Sequence, residues 1–295
     1  MDKHSHDHDR GLQYDLELLA LRRRERRRAL AWLLASGATA FVASCGGSDD
    51  EGTSAAADTG SSSGGSSSSG GSASGTCIAD PEETQGPYPA DGSNTVNGMA
   101  TNVLTQSGIV RSDIRSSFGA STTTATGVPL ALTLTVVNSN NSCAPLSGYA
   151  VYIWHCDSGG NYSLYSNSVQ DENYLRGVQV TDSNGQASFQ SIYPGCYSGR
   201  YPHIHFEVYP SLALATLYTN RILTSQMALP RDISSTVYGS ATGYSQSVTN
   251  LSQTTLANDN VFRDNTSDQI AQMTPALSGS VAAGYTGTIL IGVPA

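Results

Sequence analysis

Leu130-Ala-Leu-Thr-Leu-Thr-Val-Val137 decides the fold class. Its apolar residues recur at every second position: Leu130, Leu132, Leu134 and Val136. In an extended chain that period sends all four to one face, and Ala131, Thr133 and Thr135 to the other. Working outward, residues 149–154, 177–181, 187–193, 204–209 and 286–293 are also rich in aromatic and β-branched residues, which suit strands. Turn chemistry separates them in Asn138-Ser-Asn-Asn141, Ser158-Gly-Gly-Asn161, Asp182-Ser-Asn-Gly185 and Pro194-Gly195. No long segment holds a helical period, and no repeat is visible. Short strands with frequent turns predict an all-β domain, a sandwich or a barrel.

That domain occupies residues 77–295 of a 295-residue chain, and what precedes it reads as an address. Residues 22–28 are RRRERRR, and an apolar stretch over 29–43 follows, too short for a comfortable membrane span. It ends Val42-Ala43-Ser44-Cys45, which resembles a bacterial lipobox with Cys45 as the lipidated residue. Arg26-Arg27-Arg28-Ala29-Leu30 partly resembles a twin-arginine export signal, with Ala29 where an aromatic residue is usual. The expected organisation is a signal peptide over 1–44, a flexible Gly/Ser tether over 45–76, and the folded domain. The tether lacks the apolar side chains that would offset the entropy of ordering it. His4-Ser5-His6-Asp7-His8-Asp9 has the composition of a metal-binding tract, but it precedes the cleavage position and is read as a solvated leader. The expected location is outside the cytoplasm, with the membrane reached only through a lipid anchor.

Only 13% of the residues are charged and the formal net charge is −9, despite the early arginine run. That argues against a nucleic-acid partner. Of the five cysteines, Cys45 belongs to the lipobox. Cys77, Cys143, Cys156 and Cys196 allow three disulfide connectivities, and none has the CxxC spacing of a zinc knuckle or redox motif.

The chemistry begins at Pro202-His203-Ile204-His205-Phe206. On a strand, His203 and His205 share a face, so two imidazoles can reach one metal. Alone, that pair is common to iron, zinc and copper proteins. Its surroundings are Tyr193-Pro-Gly-Cys-Tyr197-Ser-Gly-Arg200, Ile153-Trp-His-Cys-Asp-Ser-Gly-Gly-Asn-Tyr162, Leu175-Arg-Gly-Val-Gln-Val-Thr-Asp182, Asp80-Pro-Glu-Glu-Thr-Gln-Gly-Pro-Tyr88 and Arg111-Ser-Asp-Ile-Arg115. This ordered set resembles the intradiol ring-cleavage dioxygenases, the family of protocatechuate 3,4-dioxygenase and catechol 1,2-dioxygenase, and its secreted members above all. The resemblance covers the whole folded domain and implies a β-sandwich.

The resemblance also implies roles. Tyr162, Tyr197, His203 and His205 would hold iron(III), with Tyr197 also acting in catalysis. Arg200 would stand beside the substrate, and Gln226 would belong to the pocket, although its spacing from the histidines is longer than in the classical enzymes. Substrates would be a small aromatic diol and O2, and the product a cis,cis-muconate-type acid. Phenolate is a hard anionic donor that favours ferric iron, and losing its proton near neutral pH, from a pKa of about 10, needs the metal's charge. Tyr165 competes with Tyr162 as the first phenolate. His155 is read as structural or supporting, and Trp154 as core. Cys156 paired with Cys196 would brace both tyrosine loops, leaving Cys77 with Cys143; free buried thiols are the alternative. Residues near Tyr88, 112–116 and 212–220 are expected to wall the substrate pocket. Two other readings stand beside this one: a non-catalytic, ligand-binding β lipoprotein, and a different His-x-His metalloenzyme using zinc or copper. Substrate identity and oligomeric state are not written in these residues.

Overall fold

The structure, a computed structural model, describes residues 77–295 except Asn97. The expected signal peptide, tether and Cys45 anchor lie outside the described residues. Eleven strands account for most of the regular structure. One sheet is built on β3 (Pro129–Asn138). On one side, β3 pairs in parallel with β11 (Gly284–Val293), which pairs in turn with β10 (Ala276–Ser280). On its other side it pairs with β7 (Gln186–Ile192) and, at its far end, with β4 (Ala144–Pro145). A second, wholly antiparallel sheet runs β6 (Arg176–Val180), β5 (Ala150–Trp154), β8 (His203–Tyr209), β9 (Leu223–Ala228). A small hairpin, β1 (Asp91–Val96) with β2 (Met99–Asn102), stands apart.

The alternation in β3 survives in the fold. Leu130, Leu132, Leu134 and Val136 are buried, while Ala131, Thr133 and Thr135 are only partly so. Their face meets Ala187 and Phe189 of β7, and Ile289 and Ile291 of β11. From the second sheet come Val151 and Ile153 of β5, Ile204, Phe206 and Val208 of β8, and Met227 of β9. One core therefore fills the space between two sheets, as in a sandwich.

The second sheet is buried on both faces: every residue of β5, β8 and β9 is buried. Its outer face is covered by the chain between Cys77 and Ile114. Ala90, Val103, Leu104 and Ile109 of this cover form a second core with Tyr152, Trp154, Val178 and Tyr209. Polar contacts fasten it. Glu83 N–H donates to Thr224 C=O at 2.8 Å, and the Tyr152 hydroxyl donates to Pro89 C=O at 2.7 Å. The Cys77–Cys143 disulfide fixes its first residue to the turn before β4. His203 and His205 lie on this covered face, because Ile204 and Phe206 occupy the other.

The sequence holds no long helical period, yet three helices follow β9: α1 (Arg231–Ser240), α2 (Ser245–Gln253) and α3 (Ser267–Gln272). The inner stripe of α1 is Ser234, Val237 and Tyr238, and that of α2 is only Ser247 and Leu251. Small hydroxyl residues stand where a typical surface helix would bury leucine, so the apolar period is nearly invisible.

Candidate metal centre

His203 and His205 bring their Nε2 atoms to 3.1 Å from each other. Tyr197 Oη lies 3.2 Å from His203 Nε2, and Tyr162 Oη lies 3.4 Å from the same nitrogen. Four side chains from three separate segments thus point their polar atoms at one spot.

Each is held there by its local structure. His203 Nδ1 donates to Tyr201 C=O at 2.6 Å, which fixes the tautomer with a lone pair on the inward Nε2. His205 is held by stacking: the Trp154 indole lies parallel to its ring, 4.8 Å between centroids and 6° between planes. Trp154, read from the sequence as core, is indeed buried, and it stacks on both this imidazole and Tyr152. Burial, and then the Arg200 charge, push His203 down to about 3. Burial, followed by the neighbouring His203, takes His205 well below the ordinary imidazole value. Both rings are therefore neutral donors near neutral pH. Burial, with Tyr197 next to it, raises the Tyr162 phenol well above 10. Its oxygen becomes anionic in this pocket only beside a strong positive charge.

The two tyrosine loops are joined through backbone. Gly195 N–H donates to Asp157 C=O at 2.9 Å, and a Cβ on Gly195 would sit 2.6 Å from Ser158 O. Gly160, at φ +88°, packs against Tyr197, where an added Cβ would meet Tyr197 Cβ at 3.2 Å. Of the two readings of Cys156 and Cys196, the unpaired one holds: both are free, buried thiols. Cys156 Sγ donates to Gly195 C=O and Cys196 Sγ to Arg200 C=O, both at 3.4 Å. Each thiol thus braces the Tyr197 loop by a backbone contact of its own. The expected Cys77–Cys143 bridge is present.

Tyr165 lies apart from this cluster. Its hydroxyl donates to Asn94 Oδ1 at 2.8 Å and accepts from Ala90 N–H at 2.7 Å, while the Arg176 guanidinium covers its ring. It ties the covering chain to the Tyr162 loop. His155 also points elsewhere: its ring bridges Cys156 C=O and the Ser191 hydroxyl of the other sheet, at 2.8 and 2.6 Å. Tyr88 packs on Tyr162 with centroids 4.8 Å apart. Residues 112–116 run instead beside β7, through Gln190 N–H to Ser112 C=O at 2.8 Å. Residues 212–220 lie beside the β1–β2 hairpin, through Asn102 Nδ2 to Thr216 C=O at 2.9 Å.

Arg200 and Gln226 are buried and joined, Arg200 Nη2 donating to Gln226 Oε1 at 2.6 Å. Gln226 sits opposite His205 in the β8–β9 register, and its Nε2 donates to Thr84 C=O at 2.8 Å. Asp259, absent from the sequence expectations, pairs with Arg200 at 3.0 Å. The sequence carries no signal for it, since Asn258-Asp259-Asn260 reads as one more polar turn.

Two neutral imidazoles and two phenols form a donor set suited to a hard cation of high charge, with the phenols able to become anionic and offset that charge. Among the described residues no group of three or more His, Cys, Asp or Glu is gathered as a metal-binding set. The phenols are what distinguish this site from histidine–carboxylate or thiolate centres.

Comparison with known proteins points the same way. A family model described as Dioxygenase matches residues 114–265, the stretch that carries all four converging side chains. The structure of an intradiol ring-cleavage dioxygenase from Tetranychus urticae is similar, with a TM-score of 0.55 and 23% identity over 74% of this chain and 96% of that one. A second dioxygenase structure gives a TM-score of 0.53 and 24% identity over 74% of this chain and 95% of that one. A chlorocatechol 1,2-dioxygenase from Rhodococcus opacus is 36% identical over 58 residues, which span 20% of this chain and 23% of that protein.

Proposed function

Because this chain belongs to the intradiol ring-cleavage dioxygenase family, we propose that it is an iron(III)-dependent enzyme that inserts both atoms of O2 into a catechol-type ring and releases a cis,cis-muconate-type acid. The observation that carries this reading is the convergence of Tyr162 Oη, Tyr197 Oη and His205 Nε2 on His203 Nε2, at 3.1–3.4 Å. When bound, ferric iron would supply a Lewis acid that favours the doubly deprotonated catechol and draws electron density from the ring. His203 and His205 would hold it as neutral donors, and Tyr162 and Tyr197 as phenolates. A catechol has two hydroxyl protons to lose. Tyr197, the half-buried member of the set, would accept one of them at Oη, and the other would pass to solvent. Arg200 supplies fixed positive charge beside the set, which stabilises carbanion-like charge developing on the ring. Tyr88, packed on Tyr162, and Trp154, packed on His205, keep water from the buried side.

The test is spectroscopic and kinetic together. Iron-loaded protein should be burgundy to brown from phenolate-to-iron charge transfer, and Tyr162→Phe or Tyr197→Phe should shift that band. Catechol, protocatechuate and hydroxyquinol should be screened by O2 uptake and muconate absorbance. A protein that stays colourless after iron loading sinks the reading.

We further propose that the domain works outside the cytoplasm, anchored through a lipid on Cys45 and spaced from the membrane by residues 46–76. The Cys77–Cys143 disulfide supports an oxidising compartment. Cells fed a labelled fatty acid should label this protein, and Cys45→Ser should abolish the label and release the protein from membranes. Label retained in that variant would place the anchor elsewhere.

A further inference from the structure

Arg200 and Asp259 are both fully buried, 1% and 0% exposed at their side chains. Asp259 lies in the loop between α2 and α3, on neither sheet, and reaches the site from the helical side. Its carboxylate has four protein donors. Oδ2 accepts from Arg200 Nε at 3.0 Å and from Tyr201 N–H at 2.6 Å. Oδ1 accepts from Val261 N–H at 2.8 Å and Phe262 N–H at 3.2 Å. The last two come from its own loop and hold the carboxylate rigid, so its position is set before Arg200 meets it.

The consequence falls on the guanidinium. Its Nε edge is fixed by Asp259 and its Nη2 by Gln226. Two contacts on different nitrogens fix both the plane and the rotation of a planar fork. A buried arginine without a counter-ion would be costly to keep charged. Asp259 therefore does two things at once: it keeps Arg200 charged in a buried site, and it aims it.

We propose that Asp259 is a positioning residue for the ring-cleavage reaction, acting through Arg200 on the charge that develops on the substrate. This rests on the dioxygenase reading above. Asp259 also touches the Tyr201 N–H, and Tyr201 C=O holds His203. A competing account has Asp259 acting on the metal ligands by that route, and the two differ in what they move. If Asp259 acts through Arg200, the phenolate and imidazole ligands keep their places and the main loss is in turnover.

The experiment compares wild type, Arg200→Gln, Asp259→Asn and the double variant in the full chain. Visible spectra of the iron-loaded proteins, melting temperatures of the iron-free ones, and kcat and KM for a catechol are recorded. Asp259→Asn should leave the visible band in place and lower kcat by roughly ten- to a hundredfold, with KM within about threefold, as expected for a misaimed transition-state contact. The double variant should turn over no more slowly than Arg200→Gln alone, because Asp259 has nothing left to aim. A shifted band in Asp259→Asn, or unchanged kcat, overturns the proposal while the dioxygenase reading stands. So does a double variant slower than Arg200→Gln by a further tenfold. If Asp259→Asn alone fails to fold, the comparison of Arg200→Gln with the double variant, in which both buried charges are gone, still decides. A wild type that is neither coloured nor active overturns the dioxygenase reading, and this proposal with it.

Discussion

At the scale of single residues, Gly160 shows how little separates a packed site from a distorted one. It has φ +88°, a conformation other residues reach only at a cost of about 1–2 kcal/mol, and its α-carbon faces Tyr197 at close range. Gly160→Ala adds a methyl group 3.2 Å from Tyr197 Cβ. The expected outcome is a melting temperature lowered by several degrees together with a shifted phenolate–iron band, because the strain and the displaced phenol arise from the same contact. Differential scanning fluorimetry and a visible spectrum of the iron-loaded variant check both. A lowered melting temperature with an unmoved band would mean that the Tyr162 loop absorbs the strain away from Tyr197.

At the scale of elements, what could be read in advance depends on how local the determining interaction is. The period of β3 is written in adjacent residues, and so is the shared face of His203 and His205, since each needs only the two-residue repeat of a strand. The Ser158-Gly-Gly-Asn161 turn was legible for the same reason. Parallel pairing of β3 with β11 was not, because its register joins Leu130 to Tyr285, positions far apart in the chain. The helices were hidden by their composition: Ser234 and Ser247 face inward where leucine would announce a helix. Asp259 was hidden by geometry. Its importance comes from Arg200, which the fold brings to it from 59 positions away. Where the Tyr165 hydroxyl points depends on the covering chain, whose Ala90 N–H and Asn94 engage it. The free thiols of Cys156 and Cys196 belong to the same class, since backbone contacts, invisible in a cysteine count, already join the loops they were expected to bridge.

At the scale of the whole molecule, the covering chain must stay seated on both sheets, and Asp80 is where it meets the first of them. Asp80 N–H donates to Gly292 C=O at 2.9 Å, and Asp80 Oδ2 accepts from Gly292 N–H at 2.7 Å, at the end of β11. Its other oxygen is buried with no hydrogen-bond partner. Burial pushes this carboxyl up to about 7, against the Gly292 and Gln272 hydrogen bonds that favour its charged form. In the unfolded chain an aspartate titrates near 3.9. Between about pH 4 and pH 7 the folded protein thus holds a proton that the unfolded chain has lost, so this group makes stability fall as pH rises across that window. Above pH 7 both states are ionised and the contribution is flat. At roughly 1.4 kcal/mol per pKa unit, the total is a few kcal/mol. Asp80→Asn removes the charge, and its melting temperature relative to wild type should climb from pH 4 to pH 7 and then level off. A difference independent of pH would show that Asp80 stays ionised in the folded state.

The disulfide at the first described residue also determines how the protein bears load. Whatever pulls on the chain ahead of Cys77 enters the fold at that residue, and the covalent link to Cys143 carries tension straight into the turn between β3 and β4. Residues 78–90, whose Thr84 carbonyl steadies Gln226 and whose Tyr88 packs on Tyr162, lie outside that line of force. With the bond reduced, the same pull would peel those residues from the sheet one hydrogen bond at a time, beginning at Asp80 and reaching Thr84 and Tyr88 next. Cys77–Cys143 thus keeps a pull on the chain from loosening the residues packed beside Tyr162 and Gln226.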